Sequence, residues 1–207
     1  MSLPGWDAEA LIAATGGVAW HLAPRAALPM LRRHGLLSAA ALVALFEVPE
    51  PEATRLLEAN RDRFTTLRHS LHGEVELRRQ QMWDSKLGPA LEGSGTTPAQ
   101  WRRHINGHVF FWLDPARVAG LRAADPQRPQ VELRIDLRRL LERHGAAARL
   151  TPINTGAVRH PRHRRSLADW HRLGAYADPR GRRPVELAIP GGVPGLADLF
   201  SDSGPQP

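Results

Sequence analysis

The sequence has no cysteine, one tyrosine and, apart from Lys86, no lysine among its 207 residues. The lack of cysteine excludes disulfide bonds, thiolate metal ligands and a cysteine nucleophile, so nothing in the chain requires an oxidising compartment. No segment approaches the roughly 18 apolar residues that cross a bilayer. The first residues also lack the basic and apolar segments of a signal peptide. We therefore expect a cytoplasmic protein that does not enter a membrane.

Arginine is what the chain has in excess. Basic residues outnumber acidic ones by 28 to 21, the net charge is +7, and all the basic residues except Lys86 are arginine. Arginine binds phosphate in a bidentate manner, which suits nucleic acid or a dinucleotide, although a GC-rich genome produces the same bias. In the dense stretch 159–183, a solvated basic loop is the alternative to an anion-binding segment. The predicted nucleic-acid contacts in this stretch are Arg159, Arg162, Arg164, Arg165, Arg182 and Arg183.

Hydrophobic periodicity predicts both strands and helices. The predicted strands lie near 18–22, 74–78, 108–113, 130–136 and 184–189. The predicted helices lie near 28–34, 39–46, 52–61, 98–106, 115–121 and 137–144. Polar, glycine-rich composition predicts a turn region over 88–98, an irregular segment over 151–183 and a tight turn over 190–194. Because these elements do not follow strict βαβ spacing, we expect an α+β fold in one domain, 1–200, with a disordered tail at 201–207.

The first strand contains a histidine in an otherwise apolar segment, and a short basic helix that ends at Gly35 follows it. This order, Val18 to Leu22 with His21 inside, resembles the opening of the ADP-ribosyltransferase-like superfamily, above all the DarT-type enzymes that modify DNA. The resemblance implies split mixed β-sheets flanked by helices. It also implies that His21 binds the ribose of NAD, with Trp20 and Leu22 beside it.

Two further segments resemble parts of the same superfamily. The strand His108 to Trp112 corresponds to an aromatic strand that walls the nicotinamide pocket, so the resemblance assigns Phe111 and Trp112 to the NAD site; an ordinary core strand is the alternative. The segment around Arg78, which precedes this aromatic strand, corresponds to the region where DarT-like proteins hold the dinucleotide phosphates with an arginine. Arg78 is the residue nominated there, and the neighbouring Arg79 is the alternative.

Glu186 lies in a predicted strand that is followed by the turn Pro190 to Pro194. This strand and turn resemble those that carry the catalytic glutamate of DarT-type enzymes. When the glycosidic bond of NAD breaks, positive charge develops on the ribose, and a fixed carboxylate stabilises it. The resemblance therefore nominates Glu186, together with His21, for catalysis. The alternative for a lone strand glutamate is an exposed edge position.

The resemblance implies transfer of ADP-ribose from NAD to nucleic acid, with DNA favoured over RNA. Two alternatives stay open: an RNA 2′-phosphotransferase-like enzyme, which shares the fold and also uses NAD, and a non-catalytic nucleic-acid-binding module. The pair His104 and His108 has no acidic partner of the HExxH kind, and we predict no metal site. No glycine-rich segment matches a Rossmann fingerprint, so we do not expect NAD to be held in that manner.

Overall fold

The chain folds around one central sheet. The structure is a computed structural model that describes residues 5–199. Its strands are β1 (Val18–Pro24), β2 (Leu36–Leu37), β3 (Thr65–His69), β4 (Gly73–Leu77), β5 (His108–Trp112), β6 (Gln130–Asp136), β7 (Arg149–Thr151), β8 (His171–Arg172), β9 (Glu186–Pro190) and β10 (Gly192–Val193). Its helices are α1 (Ala8–Thr15), α2 (Leu28–His34), α3 (Ala39–Leu45), α4 (Glu52–Glu58), α5 (Asp84–Leu91), α6 (Pro98–Asn106), α7 (Pro115–Ala123) and α8 (Leu137–His144).

The central sheet has six strands in the order β6-β1-β5-β9-β7-β8, and two small ribbons, β3-β4 and β2-β10, accompany it. Each pairing among the described strands is antiparallel, whereas the superfamily resemblance implies mixed sheets. Together with the eight helices this is a single α+β domain, as the periodicity predicts. None of the helices in residues 5–199 combines the length and apolar character that crossing a bilayer requires.

One face of the sheet forms the main core. Phe111, Leu133, Leu150 and Leu187, from four different strands, are completely buried on it. Helix α8 covers this face with Leu137, Leu140 and Leu141, whose spacing of three and four places them on one side of the helix. The opposite face carries two smaller clusters, and Glu186 lies on this face opposite Trp112.

Strands β1 and β5 meet at a single aligned pair, Trp20 opposite Trp112. Beside this pair, the side chain of His21 bridges the two strands, because its Nδ1 lies 2.8 Å from the carbonyl oxygen of Phe110. A carbonyl oxygen can only accept, so Nδ1 is the protonated nitrogen and donates this bond. An imidazole thus supplies a polar link where the two strands are aligned at only one pair.

Several helix ends follow from local sequence. Ser38 caps α3 by accepting a hydrogen bond from the Ala41 amide, and Thr97 with Gln100 forms a complete capping box at α6. Gly35 ends α2 with a φ of +75°, and a Cβ at this position would clash with the backbone of Val193. The glycine that marks the end of the helix in the sequence is therefore also required for the contact between β2 and β10.

The structure corrects three predicted boundaries. The turn predicted over 88–98 is wrong at its start, because α5 continues through Gly88 and Pro89 to Leu91. Glycine and proline have poor helix propensity, but the burial of Leu87 and Leu91 against α6 outweighs it. Helix α4 ends at Glu58 instead of reaching 61, and the predicted turn over 190–194 contains β10. The sequence pattern also missed α1, β3 and β7. The tail predicted at 201–207 lies outside the described residues.

Candidate functional site

A row of four side chains crosses the face of the sheet opposite the main core. Trp20 lies opposite Trp112, Trp112 opposite Glu186, and Glu186 opposite Thr151. Because directly opposed residues of antiparallel strands point to the same side, these four share one face, and Leu187 faces the main core on the other. The register of the sheet thus places Glu186 next to an aromatic pair and a threonine.

Glu186 is buried, with 3% of its surface exposed. Its Oε2 accepts hydrogen bonds from the Thr155 amide at 3.0 Å and the Thr155 hydroxyl at 2.8 Å. The Thr151 hydroxyl lies 3.4 Å from the same oxygen, but its single proton has a shorter contact, of 2.8 Å, to the Ile153 carbonyl oxygen. None of the described residues donates to Oε1. The carboxyl group is therefore fixed through one oxygen and keeps the other for a further partner.

Burial raises the pKa of Glu186 to about 7, because the loss of hydration outweighs the stabilisation that Thr155, Thr151 and the positive charge of Arg165 give to the ionised form. The carboxyl group consequently changes its protonation state near neutral pH. Strongly shifted carboxyl groups of this kind occur preferentially at functional sites, although buried structural networks also produce them.

Arg165 holds the turn that carries Thr155. It is 6% exposed, and its guanidinium donates to the carbonyl oxygens of Asn154, at 3.0 Å, and Ala157. Its Cζ lies 6.0 Å from the ring centroid of Trp101. Burial lowers the pKa of Arg165, and the nearby carboxylates partly oppose this shift. The residue predicted to contact nucleic acid is thus engaged with its own loop and positions the partner of Glu186.

A cleft of about 730 Å³ lies against this turn. Val185, next to Glu186 in the chain, lines it together with Pro152, Ile153 and Asn154. We call it the arginine cleft, because its walls contain Arg117, Arg159, Arg164, Arg165, Arg180 and Arg182.

The arginines of the cleft differ in what they contact. Arg164 pairs with Glu92 at 2.9 Å, and Arg182 pairs with Asp178 at 2.6 Å. The bonds from Arg182 hold the pKa of Asp178 at about 2. In the part of the chain that the structure describes, Arg117, Arg159 and Arg180 are exposed and form no ion pair; these are the three unpaired arginines of the cleft.

The remaining two arginines predicted to contact nucleic acid lie elsewhere. Arg183 lines an adjoining cavity of about 530 Å³, which also contains Trp20 and shares Arg117, Arg182 and Val185 with the arginine cleft. Arg162 is exposed but does not line either cavity. The cleft therefore gathers four of the six predicted arginines, and Arg117 and Arg180 are additions that the sequence did not single out.

His21 and Arg78 form a second grouping. Burial lowers the pKa of His21, and the positive charge of Arg78 lowers it further, which places the two residues within electrostatic range of each other. Arg78 donates to Asp125 at 2.7 Å and to Gln130 at 3.4 Å. His21 points to the face of the sheet that carries Phe111, with ring centroids 5.9 Å apart. The side chain of His21 therefore faces away from Glu186, whereas Arg78 contacts Leu121 and Asp125 at the end of α7, the helix that packs on the face carrying Glu186.

The aromatic residues predicted to wall a nicotinamide pocket are mostly packed inside the domain. Phe111 is completely buried in the main core. Trp20, Leu22 and Trp112 pack under Val118 of α7 and are less than a tenth exposed. Of these residues, Trp20 alone lines one of the two adjoining cavities.

Thr151 and Thr155 are functional candidates that the sequence did not reveal. The segment Thr151 to Gly156 is recognisable in the sequence as a polar turn, but its contact with Glu186, more than 30 positions later, depends on the pairing of β7 with β9. Within residues 5–199, no group of three or more histidine, aspartate or glutamate side chains is arranged to hold a metal ion.

The fold and the site together define an α+β domain with a buried glutamate beside a basic cleft. The chain belongs to DUF7002, a family of unknown function, whose family model matches residues 17–200. The matched region contains both groupings, Glu186 with the arginine cleft and His21 with Arg78. Neither the curated proteins nor the solved structures contain a match to the chain.

Proposed function

We propose that this chain is an ADP-ribosyltransferase-like enzyme that transfers ADP-ribose from NAD to nucleic acid, with Glu186 as the catalytic carboxylate. The observation that carries the proposal is Glu186, a buried carboxyl group with a pKa of about 7, whose chain neighbour Val185 lines the arginine cleft and whose partner Thr155 follows the cleft residue Asn154. The order of the three sequence segments that resemble DarT-type enzymes supports the same reaction.

The arginine cleft suits a dinucleotide in size and charge. Ligand cavities for molecules of this kind measure roughly 300 to 1000 Å³, and the cleft measures about 730 Å³. Arg117, Arg159 and Arg180 are available for phosphate oxygens, which guanidinium groups bind through paired hydrogen bonds. In this proposal the cleft holds the pyrophosphate of NAD or a phosphate of the acceptor strand.

The reaction replaces one bond to the ribose C1′ with another. The bond from C1′ to nicotinamide breaks, and a bond from C1′ to an acceptor atom of the nucleic acid forms as that atom loses its proton. Ionised Glu186 stabilises the positive charge that develops on the ribose between these events. Thr155 fixes Oε2, which leaves Oε1 for the ribose. The ribose and phosphate roles that the resemblance implies for His21 and Arg78 stay predictions, because the side chain of His21 faces away from Glu186.

The direct experiment uses NAD labelled in its adenylate portion, incubated separately with single-stranded DNA, duplex DNA and RNA. We expect label on the polymer and free nicotinamide in equal amounts, with DNA the better acceptor. Intact NAD in all three reactions would contradict the proposed reaction. Nicotinamide release without labelled polymer would contradict transfer to nucleic acid.

A non-catalytic nucleic-acid-binding module is the second candidate. The observation that favours it is that Glu186 already stabilises a loop, since two hydrogen bonds join it to Thr155 and the Thr151 hydroxyl lies 3.4 Å away. If stabilising this loop is the only role of the carboxyl group, Glu186 does not act on a substrate. On this alternative the arginine cleft binds the phosphate backbone and NAD is not cleaved.

Either function predicts a measurable role for the three unpaired arginines. Replacing Arg117, Arg159 and Arg180 together with alanine is expected to weaken binding to single-stranded DNA and to flatten its dependence on salt. Each lost phosphate contact removes about 0.7 from the slope of log K against log salt, so the slope should fall by about 2. Fluorescence anisotropy at several salt concentrations measures this slope.

The matched control removes the same charge from elsewhere. Arg25, Arg32 and Arg63 are exposed and line neither the arginine cleft nor its adjoining cavity. Their replacement with alanine is expected to change the slope much less. Equal changes in the two triple variants would show that net charge, and not the cleft, attracts the nucleic acid.

A further inference from the structure

A second groove, of about 690 Å³, lies between the end of α4 and the first turns of α5 and α6. It shares no lining residue with the arginine cleft. Three features of this groove point to a ligand, and none of them takes part in the function proposed above.

The first feature is an exposed indole. Trp83 lines the groove and is 48% exposed, whereas Trp20, Trp101 and Trp112 are buried. Contact between so large an apolar ring and water is unfavourable, and exposed apolar surface of this kind often marks a binding site. A flat indole at the edge of a concave site is a surface on which another flat ring can stack.

The second feature is a pair of buried polar atoms that lack hydrogen bonds. Arg102 lines the groove and is 3% exposed; its terminal nitrogens donate to Glu58, Met82 and Asp84, but among the described residues its Nε–H has no acceptor. Asn60, which also lines the groove, has an Oδ1 without a donor. The lining residues of the groove therefore carry one unsatisfied donor and one unsatisfied acceptor, and buried groups of this kind favour a complementary ligand. Both atoms have almost no accessible surface in the free protein, so a ligand reaches them when the side chains around them shift.

The third feature is the uncapped start of α5. Trp83 is its N-cap and provides no side-chain hydrogen bond, whereas α6, which borders the same groove, has the complete Thr97 and Gln100 capping box. Amide groups in an uncapped first turn attract an anion. Asp84, the nearest acidic group in that turn, has its carboxylate bound by Arg102, which offsets its repulsion of an anion.

We propose that this groove binds one unpaired nucleobase together with its 5′ phosphate. The base stacks on Trp83, its hydrogen-bonding edge reaches Asn60 and Arg102, and the phosphate lies at the first turn of α5. The Watson–Crick edge of a base presents an acceptor beside a donor, which complements the two unsatisfied atoms, and this edge is inaccessible in a duplex. The site goes beyond the transfer reaction and does not depend on it.

The experiment compares three fluorescent DNA 12-mers of the same length: a single strand, its duplex and an abasic single strand that keeps the phosphates but lacks the bases. We expect the wild-type protein to prefer the single strand to both others. Trp83→Ala is expected to weaken binding of the base-bearing strand about 5- to 150-fold, the range of a lost base–aromatic stack. It should leave the affinity for the abasic strand unchanged. Leu71→Ala, which removes an even more exposed apolar side chain outside the groove, is the control and should have no effect.

A second measurement, with mononucleotides, distinguishes a site for free nucleotides from a site for a base within a strand. The Trp83 indole N–H signal in a ¹H–¹⁵N spectrum is identified by its loss in Trp83→Phe. A shift of this signal with adenosine or cytidine monophosphate supports a site for free nucleotides, and a shift with the 12-mer alone supports a site for a strand.

The proposal would be overturned by equal affinity for the base-bearing and abasic strands in the wild-type protein, or by an indole signal that neither ligand moves. If the arginine cleft does not bind nucleic acid, the result of the experiment is different. The triple arginine variant would then leave the binding of every 12-mer unchanged, while the preference for bases remains.

Discussion

Replacing Glu186 with glutamine is expected to lower the rate of ADP-ribose transfer about 100- to 1000-fold, or roughly 3 to 4 kcal/mol of transition-state stabilisation. The substitution preserves the shape of the side chain and its ability to accept the hydrogen bonds from Thr155. What it removes is the negative charge, which matters only when positive charge develops on the ribose. The affinity for NAD should therefore stay about the same while turnover collapses.

Initial rates of nicotinamide release and NAD titration by calorimetry test this expectation. The wild-type rate should also rise with pH through about 7, because the ionised form of Glu186 is the active one. Thr155→Val, which removes one hydroxyl donor to the carboxylate, should shift this profile to higher pH. A glutamine variant that transfers ADP-ribose at the wild-type rate, with its fold intact by circular dichroism, would remove Glu186 from the mechanism.

The same variant is expected to be more stable than the wild-type protein at alkaline pH. In the folded chain the pKa of Glu186 is about 7, against 4.5 when it is unperturbed. A group whose folded pKa is raised contributes stability below its unfolded pKa and loses this contribution as pH rises through the folded pKa. At about 1.4 kcal/mol per pKa unit, the wild-type protein should lose about 3 kcal/mol between pH 4.5 and pH 8 from this group. Glutamine does not ionise, so the variant avoids this loss.

Urea unfolding of both proteins at pH 5 and pH 8 measures the effect. The difference in unfolding free energy should be small at pH 5 and should favour the variant by about 3 kcal/mol at pH 8. Glu74→Gln, at an exposed glutamate in β4, provides the control and should show no such gain. A glutamine variant that is less stable at both pH values would mean that the charged carboxylate holds the loop, which is the structural alternative for Glu186.

Local sequence signals were sufficient for much of the fold. Ser38, Thr97 and Asp114 act as N-caps where the sequence predicts helices to begin. These predictions depend on contacts within three or four residues, so no knowledge of the rest of the chain is required. Helix α5 was not predicted, because Gly88 and Pro89 oppose it locally and its stability comes from burial against α6.

The site was less accessible to sequence reasoning. A glutamate between Val185 and Leu187 is typical of an exposed strand position, and neither its burial nor its contacts with Thr151 and Thr155 can be inferred from its neighbours. Clustering of arginines in the sequence also did not reveal their contacts, since Arg165 is buried against its own loop and Arg164 and Arg182 pair with carboxylates. The surroundings of Glu186 and the contacts of the arginines both depend on which distant segments of the chain pack together.

The single aligned pair between β1 and β5 divides the sheet into two leaves, β6-β1 and β5-β9-β7-β8. Within each leaf, longer ladders must break together, whereas at this seam the backbone pairing is confined to the Trp20–Trp112 pair and the side-chain bond from His21 to Phe110. Apolar side chains of the main core and of the cluster under Val118 hold the two leaves together. The leaves are therefore natural units of sub-global unfolding, and amide hydrogen exchange near the seam reports their separation. His21 is half-buried and its Nδ1–H is bound to the Phe110 carbonyl oxygen, so we expect exchange of this proton to report the opening of the same seam.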